Sequence, residues 1–134
     1  MTVVYAREPD LGAEAFQEVL VASGLAPRRP AEILERLGRM LAGADLIITA
    51  RLDGRLVGVA RTLTDFAFCA YLSDLAVARD VQGLGIGRGL IAETRKAAGP
   101  EASLLLTAAP GVEAYYDGLG MPRVPHAFRY ERER

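Results

Sequence analysis

Four glycines at alternate positions, Gly83, Gly85, Gly87 and Gly89, constrain this chain more than any other feature. An apolar, strand-like run at 71–77 and a short polar turn at 78–81 precede them, and an amphipathic helical pattern at 90–98 follows. A glycine-rich turn that opens a helix leaves backbone N–H groups without partners. It aims them, with the positive end of the helix dipole, at one point. Phosphate is the usual occupant of such a place. The turn is therefore expected to hold a phosphate compound.

Composition narrows the classes. The 134 residues, 51% hydrophobic and 25% charged, suit one folded domain over 1–134 rather than a disordered chain. A net charge of −1 with dispersed arginines offers no basic surface for a nucleic acid. The sign-alternating end 131–134 reads as solvated. Cys69 is the single cysteine, which excludes an intrachain disulfide; lying in an apolar run, it is expected to be a buried, inert thiol in a reducing compartment. The single histidine, His126, has no companion ligands, so no metal is expected. No apolar run reaches the ~18 residues of a membrane span. The first residues lack the pattern of a signal peptide. The expected setting is cytoplasmic, without a membrane partner.

The rest of the chain reads as alternating strands and helices. Residues 2–6 form a first strand, and Asp10 is a candidate cap for a helix carrying Phe16, Val19, Leu20 and Ala22 on one side, closed by Gly24. Pro30 suits the first position of a second helix, whose apolar stripe is Ile33, Leu34, Leu37, Met40 and Leu41, ending at Gly43. The loop between them carries Arg28 and Arg29. Asp53-Gly54 between the runs 46–52 and 55–63 is a hairpin signal, since both turn positions need positive φ. Thr64-Asp65 marks a further turn into a third strand at 66–77. Beyond the glycine helix, the continuous apolar run 102–108 reads as a strand buried on both faces. A short helix at 112–119, capped by Gly120, and a last strand at 123–130 complete the order. The fold class is α/β: a mixed, mostly antiparallel central sheet with flanking helices and one parallel strand–helix–strand crossover, expected to be right-handed. An unpaired edge at 123–130 would offer pairing with a second copy, a homodimer.

Spacing discriminates among phosphate compounds. A triphosphate loop needs Gly-x-x-x-x-Gly-Lys-Ser/Thr, and no lysine follows the glycines before Lys96. A dinucleotide fingerprint fails from either start, because Arg88 or Leu90 stands where its last glycine belongs. The pattern Gln/Arg-x-x-Gly-x-Gly/Ala is met by Gln82, Gly85 and Gly87.

With the strand residues Leu75, Ala76 and Val77 before it and the segment 114–121 (AYYDGLGM) after it, this pattern resembles the GNAT superfamily of acyl-CoA-dependent N-acetyltransferases, in particular its small bacterial members. The second segment is similar to the family's aromatic-Tyr-x-x-Leu-Gly-Phe helix end, with Met121 in place of Phe. Two further departures stand out. Thr107-Ala108-Ala109 occupies the place of a frequent asparagine, and Ala70-Tyr71 that of the glutamate base of some histone-acetylating members.

The resemblance implies acetyl-CoA as cosubstrate, without a metal, and an amine acceptor, small molecule or protein. It implies that the backbone of Leu75, Ala76 and Val77 pairs with the pantetheine arm. The pyrophosphate would lie on Gln82, Gly83, Leu84, Gly85, Ile86 and Gly87, with Arg88 beside it. It also implies that Tyr116 protonates the departing thiolate after direct attack by the amine, with Tyr115 packing in the core. The base is open among Asp74, Ser73, Tyr71 and Asp65. Asp74 stands out because a carboxylate in an apolar strand needs a partner or gains proton affinity, although it could equally hold a turn. The alternatives are a CoA-binding sensor or interaction module without turnover, and a generic nucleotide-binding domain.

Overall fold

The Asp53-Gly54 signal seeds the sheet: both residues have positive φ, 50° and 83°, and they join β2 (Leu46–Leu52) to β3 (Arg55–Thr64). A computed structural model describes residues 2–134. β1 (Val3–Arg7) pairs antiparallel with β2, and β3 pairs antiparallel with β4 (Cys69–Val77). β5 (Ser103–Leu106) pairs parallel with β4, giving five strands in the order β1-β2-β3-β4-β5. The parallel pair is the expected crossover, made through α3 (Ile86–Ala98).

Two layers of helix cover the sheet. On one face α1 (Ala13–Ser23) and α2 (Leu34–Ala42) bury Phe16, Leu20, Leu37 and Leu41 against Ile47, Val59 and Ala76. Burying each of these large side chains contributes about 2 kcal/mol. On the other face α3 sets Ile86 and Leu90 against Ile48, Val57 and Leu72. α1 starts after Gly12 rather than Asp10, and ends at Gly24, where the N–H groups of Gly24 and Leu25 bond back to Val21 and Leu20. Pro30 lies in a turn that precedes α2 instead of opening it, and Ile33 and Leu34 of the expected stripe stay exposed.

Four expectations fail at one edge of the molecule. β4 begins at Cys69, not at 66: Asp65 Oδ1 accepts the N–H groups of Ala67, Phe68 and Cys69 (2.9, 2.8 and 3.1 Å) and wraps those residues into a turn. Cys69 is therefore exposed at the strand's first position rather than buried. β5 is short and half-buried because its outer side and one face carry no further element; Leu105 is 43% exposed. After α4 (Glu113–Gly118), residues 121–134 form no strand. Pro122 and Pro125 lie in this stretch, and proline cannot donate to a ladder. Pairing with a second copy through a strand at 123–130 has no strand to rest on.

Candidate active site

The site lies where β4 and β5 part. Their ladder runs from Cys69–Ser103 to Leu72–Leu106 and stops, so the β4 backbone from Ser73 to Val77 faces an open gap on that side. The gap is a cleft of about 810 Å3, walled by Leu75, Ala76 and Val77, by the start of α3, by the α1–α2 loop and by α4. The volume suits an organic ligand of cofactor size.

The glycine turn fits a diphosphate on three counts. Gly83 and Gly85 have φ of 87° and 80°, a left-handed backbone, and nothing stands within 4 Å of where a β-carbon would project from either. The first helical hydrogen bond is made by Gly89 to the Gly85 carbonyl, so the N–H groups of Ile86, Gly87 and Arg88 precede it and point out of the helix end. The charged side chains on the cleft wall are all cationic: Arg28, Arg29 and Arg88. Gln82 donates from its side chain to the Val77 carbonyl at 2.9 Å, closing the end of β4. Leu84 is exposed on the turn, 57% accessible.

Tyr115 departs from its expected place in the core. It is 44% exposed, and a β-carbon on Gly87 would meet its hydroxyl at 2.0 Å. A side chain at position 87 would therefore have to displace the Tyr115 hydroxyl, the far end of a half-exposed side chain. Tyr115 packs edge-on against Tyr116, ring centres 5.1 Å apart.

Tyr116 faces the cleft, half-buried. Burial, with the neighbouring Tyr115, raises its phenol above the ordinary value of 10.0, and Arg29 opposes the rise. It therefore keeps its proton across the neutral range.

The four candidate bases are all engaged, Ser73 and Asp74 in one cluster and Tyr71 and Asp65 elsewhere. Asp74 has no exposed surface, and its two oxygens accept from Arg29 Nε and Arg61 Nε respectively. Arg29 also donates to the Ser73 carbonyl (2.7 Å), and Arg61 to the Ser73 hydroxyl (3.0 Å) and the Met40 carbonyl (3.2 Å). The cluster ties the α1–α2 loop to β3 and β4. Tyr71 bonds Thr107 Oγ1 at 2.8 Å, across the point where β4 and β5 separate. Asp65 sits at the far end of β4, held ionised by three backbone N–H groups. Arg29 and Arg61 are the site residues that sequence reasoning did not place. A lone aspartate in an apolar strand was the only signal that a buried cation had to meet it.

Among the described residues no group of three or more His, Cys, Asp or Glu could hold a metal, and no helix is long and apolar enough to cross a membrane.

The cleft, its glycine turn and its tyrosine define a recognisable class. The model of the acetyltransferase (GNAT) domain family matches residues 11–130, and the chain belongs to that family. It is an acyl-CoA N-acyltransferase of the GNAT type. No curated protein matches the chain. Among solved structures it is similar to a GNAT-family acetyltransferase of Streptococcus pneumoniae TIGR4, with 20% identity, TM-score 0.76, and coverage of 98% of this chain and 100% of that one. It is also similar to a ribosomal-protein-alanine N-acetyltransferase of Brucella melitensis, with 20% identity, TM-score 0.70, and 98% and 99% coverage. An aminoglycoside N-acetyltransferase solved with CoA shares 15% identity at TM-score 0.75, covering 99% of this chain and 96% of that one. At these identities the likeness concerns the fold.

Proposed function

We propose that this chain moves an acetyl group from acetyl-CoA to a primary amine by direct attack, and that Tyr116 protonates the departing sulfur. The observation that carries the reading is the place of Tyr116: a phenol that holds its proton, on the wall of a cationic cleft opened by the parting of β4 and β5. When bound, acetyl-CoA supplies an acetyl thioester. The N–H groups of Ile86, Gly87 and Arg88, with the Arg28 and Arg88 side chains, take its phosphates, and the open backbone edge of Leu75, Ala76 and Val77 takes the pantetheine arm. The Tyr116 hydroxyl donates to sulfur as the C–S bond breaks; a phenol is a competent acid toward a thiolate.

Asp74 stood among the candidates for the base. We place it instead as the anchor that holds Arg29 and Arg61, since both its oxygens already accept from guanidinium groups. The amine then loses its proton to solvent.

The test is thiol release from acetyl-CoA across a panel of amines, beside equilibrium binding of CoA. Release that depends on an amine supports transfer. CoA binding with no release for any amine would leave a cofactor-binding module and end the transferase reading.

A further inference from the structure

α4 is the least anchored wall of the cofactor cleft. It has six residues and buries none of them; Tyr116 alone is half-buried. Its side-chain hydrogen bonds among the described residues stay local: Glu113 accepts from the Gly111 N–H, and Asp117 accepts from Arg123. α3, in contrast, buries Ile86, Gly87, Leu90, Thr94 and Ala98. An element with few buried contacts opens at small cost, so one added contact can shift its position. The tyrosine assigned as the acid is carried by the part of the site that the protein alone fixes least.

Tyr115 links α4 to the glycine helix. A β-carbon on Gly87 would meet its hydroxyl at 2.0 Å and its Cζ at 3.1 Å, so the phenol rests against the Gly87 main chain. Gly89 makes similar room for the Tyr5 hydroxyl, at 2.1 Å, but the Gly89 N–H is already bonded to the Gly85 carbonyl. Gly87 differs, because its N–H is one of the three left free at the start of α3. Tyr115 lines the same cleft as Gly85, Gly87 and Arg88. Burial raises its phenol above the ordinary value of 10.0, with Arg88 opposing the rise and Tyr5 adding to it. The hydroxyl therefore keeps its proton at neutral pH, lies within reach of the Arg88 charge, and makes none of the α4 hydrogen bonds named above. A protonated phenol beside free N–H groups and a guanidinium is a further donor to the same anion.

We propose that Tyr115 is a positioning residue: its hydroxyl donates to the diphosphate of the bound donor, and that bond seats α4 and with it Tyr116. The inference rests on the reading of the cleft as a CoA site and adds a residue and a coupling to it. Tyr115 touches the phosphates and acts on the transfer only through its neighbour in the chain. The two rings pack edge-on with centres 5.1 Å apart, so fixing one restrains the other. The phosphate end of the donor then does more than hold the donor. It orders the short helix that brings the acid to the thioester end of the same molecule.

The experiment compares Tyr115→Phe with the unaltered protein by calorimetric titration with CoA, and by hydrogen–deuterium exchange of residues 112–121 with and without saturating CoA. The variant keeps the ring and its packing and loses only the hydroxyl, so it should fold. We expect its Kd for CoA to rise about tenfold. Saturating CoA should slow exchange in 112–121 about threefold or more in the unaltered protein and by less than half as much in Tyr115→Phe. Without CoA the two proteins should exchange alike. A Kd within a factor of two would overturn the phosphate contact, and equal slowing in both proteins would overturn the positioning. Faster exchange in the free variant would make the hydroxyl a support of the fold itself and would also overturn the proposal. Neither measurement needs turnover. If both come out as expected but no amine releases thiol from acetyl-CoA, the inference stands and the transferase reading falls. If thiol release depends on an amine while the variant binds CoA unchanged, the transferase reading stands and the inference falls.

Discussion

The two hollows that meet at Tyr116 are built from different material. The cofactor cleft is made of main chain: an open strand edge, a left-handed glycine turn and the bare end of α3, all resting on buried residues and fastened by the Arg29–Asp74–Arg61 cluster. The neighbouring groove, about 620 Å3 between β5, α4 and the stretch 121–129, is made of side chains on an edge strand, a short helix and a stretch without regular structure. Main-chain geometry is tied into the hydrogen-bonded frame, so it resists change and costs stability when altered. Side chains on an edge can be exchanged with little effect on the fold.

The largest effect that would test this contrast is on stability. Asp74→Asn leaves two guanidinium groups facing an uncharged amide at a buried site, and should cost about 3–5 kcal/mol in urea unfolding. A loss near zero would mean that the cluster does not fasten the cleft. Next comes the shared wall. Tyr116→Phe should lower kcat about 100-fold while leaving the Kd for CoA and for the acceptor within a factor of two. An unchanged kcat removes Tyr116 from the chemistry.

The pH profile sharpens the same point. Burial raises the Tyr116 phenol above 10.0, so the alkaline fall of kcat that Tyr116 causes should begin only above about pH 10. Tyr116→Phe should lack it. The same preference for the protonated form contributes stability that is full below about pH 10 and is lost as pH rises through the higher folded value.

Within the cleft, Gly85→Ala forces an L-residue into φ 80°, at a cost of about 1–2 kcal/mol, and should weaken CoA binding about tenfold with the acceptor Kd unchanged. The smallest effect belongs to the groove's rim. Asp117 and Arg123 form an exposed ion pair, and replacing both with alanine should leave the Tm within one or two degrees. A clear drop there would erase the distinction between a fastened cleft and an adaptable groove.

The cleft was readable from the chain because its instructions are local. Glycines at 83, 85 and 87 and the strand before them specify backbone conformation within a few residues, and no distant partner is needed to expose the N–H groups. The hairpin at Asp53-Gly54 was readable for the same reason. The misreadings concentrate where an outcome depends on what lies alongside. An apolar run at 102–108 looks buried until a sheet edge leaves one face bare, and Cys69 looks buried until the Asp65 turn takes the residues before it. Asp74 was conspicuous in sequence, but its partners lie 45 and 13 positions away, and no spacing rule connects them.

The sequence by itself determined the glycine turn on a helix and the strand that leads into it, because backbone preferences act between neighbours in the chain. Tertiary structure decided which residues share the second hollow. Tyr71, Leu105, Glu113 and Phe128 come from β4, β5, α4 and the stretch beyond it, and become one groove only when the sheet brings them together. Burial, charge balance and cavity shape are properties of that assembly, and no single segment carries them.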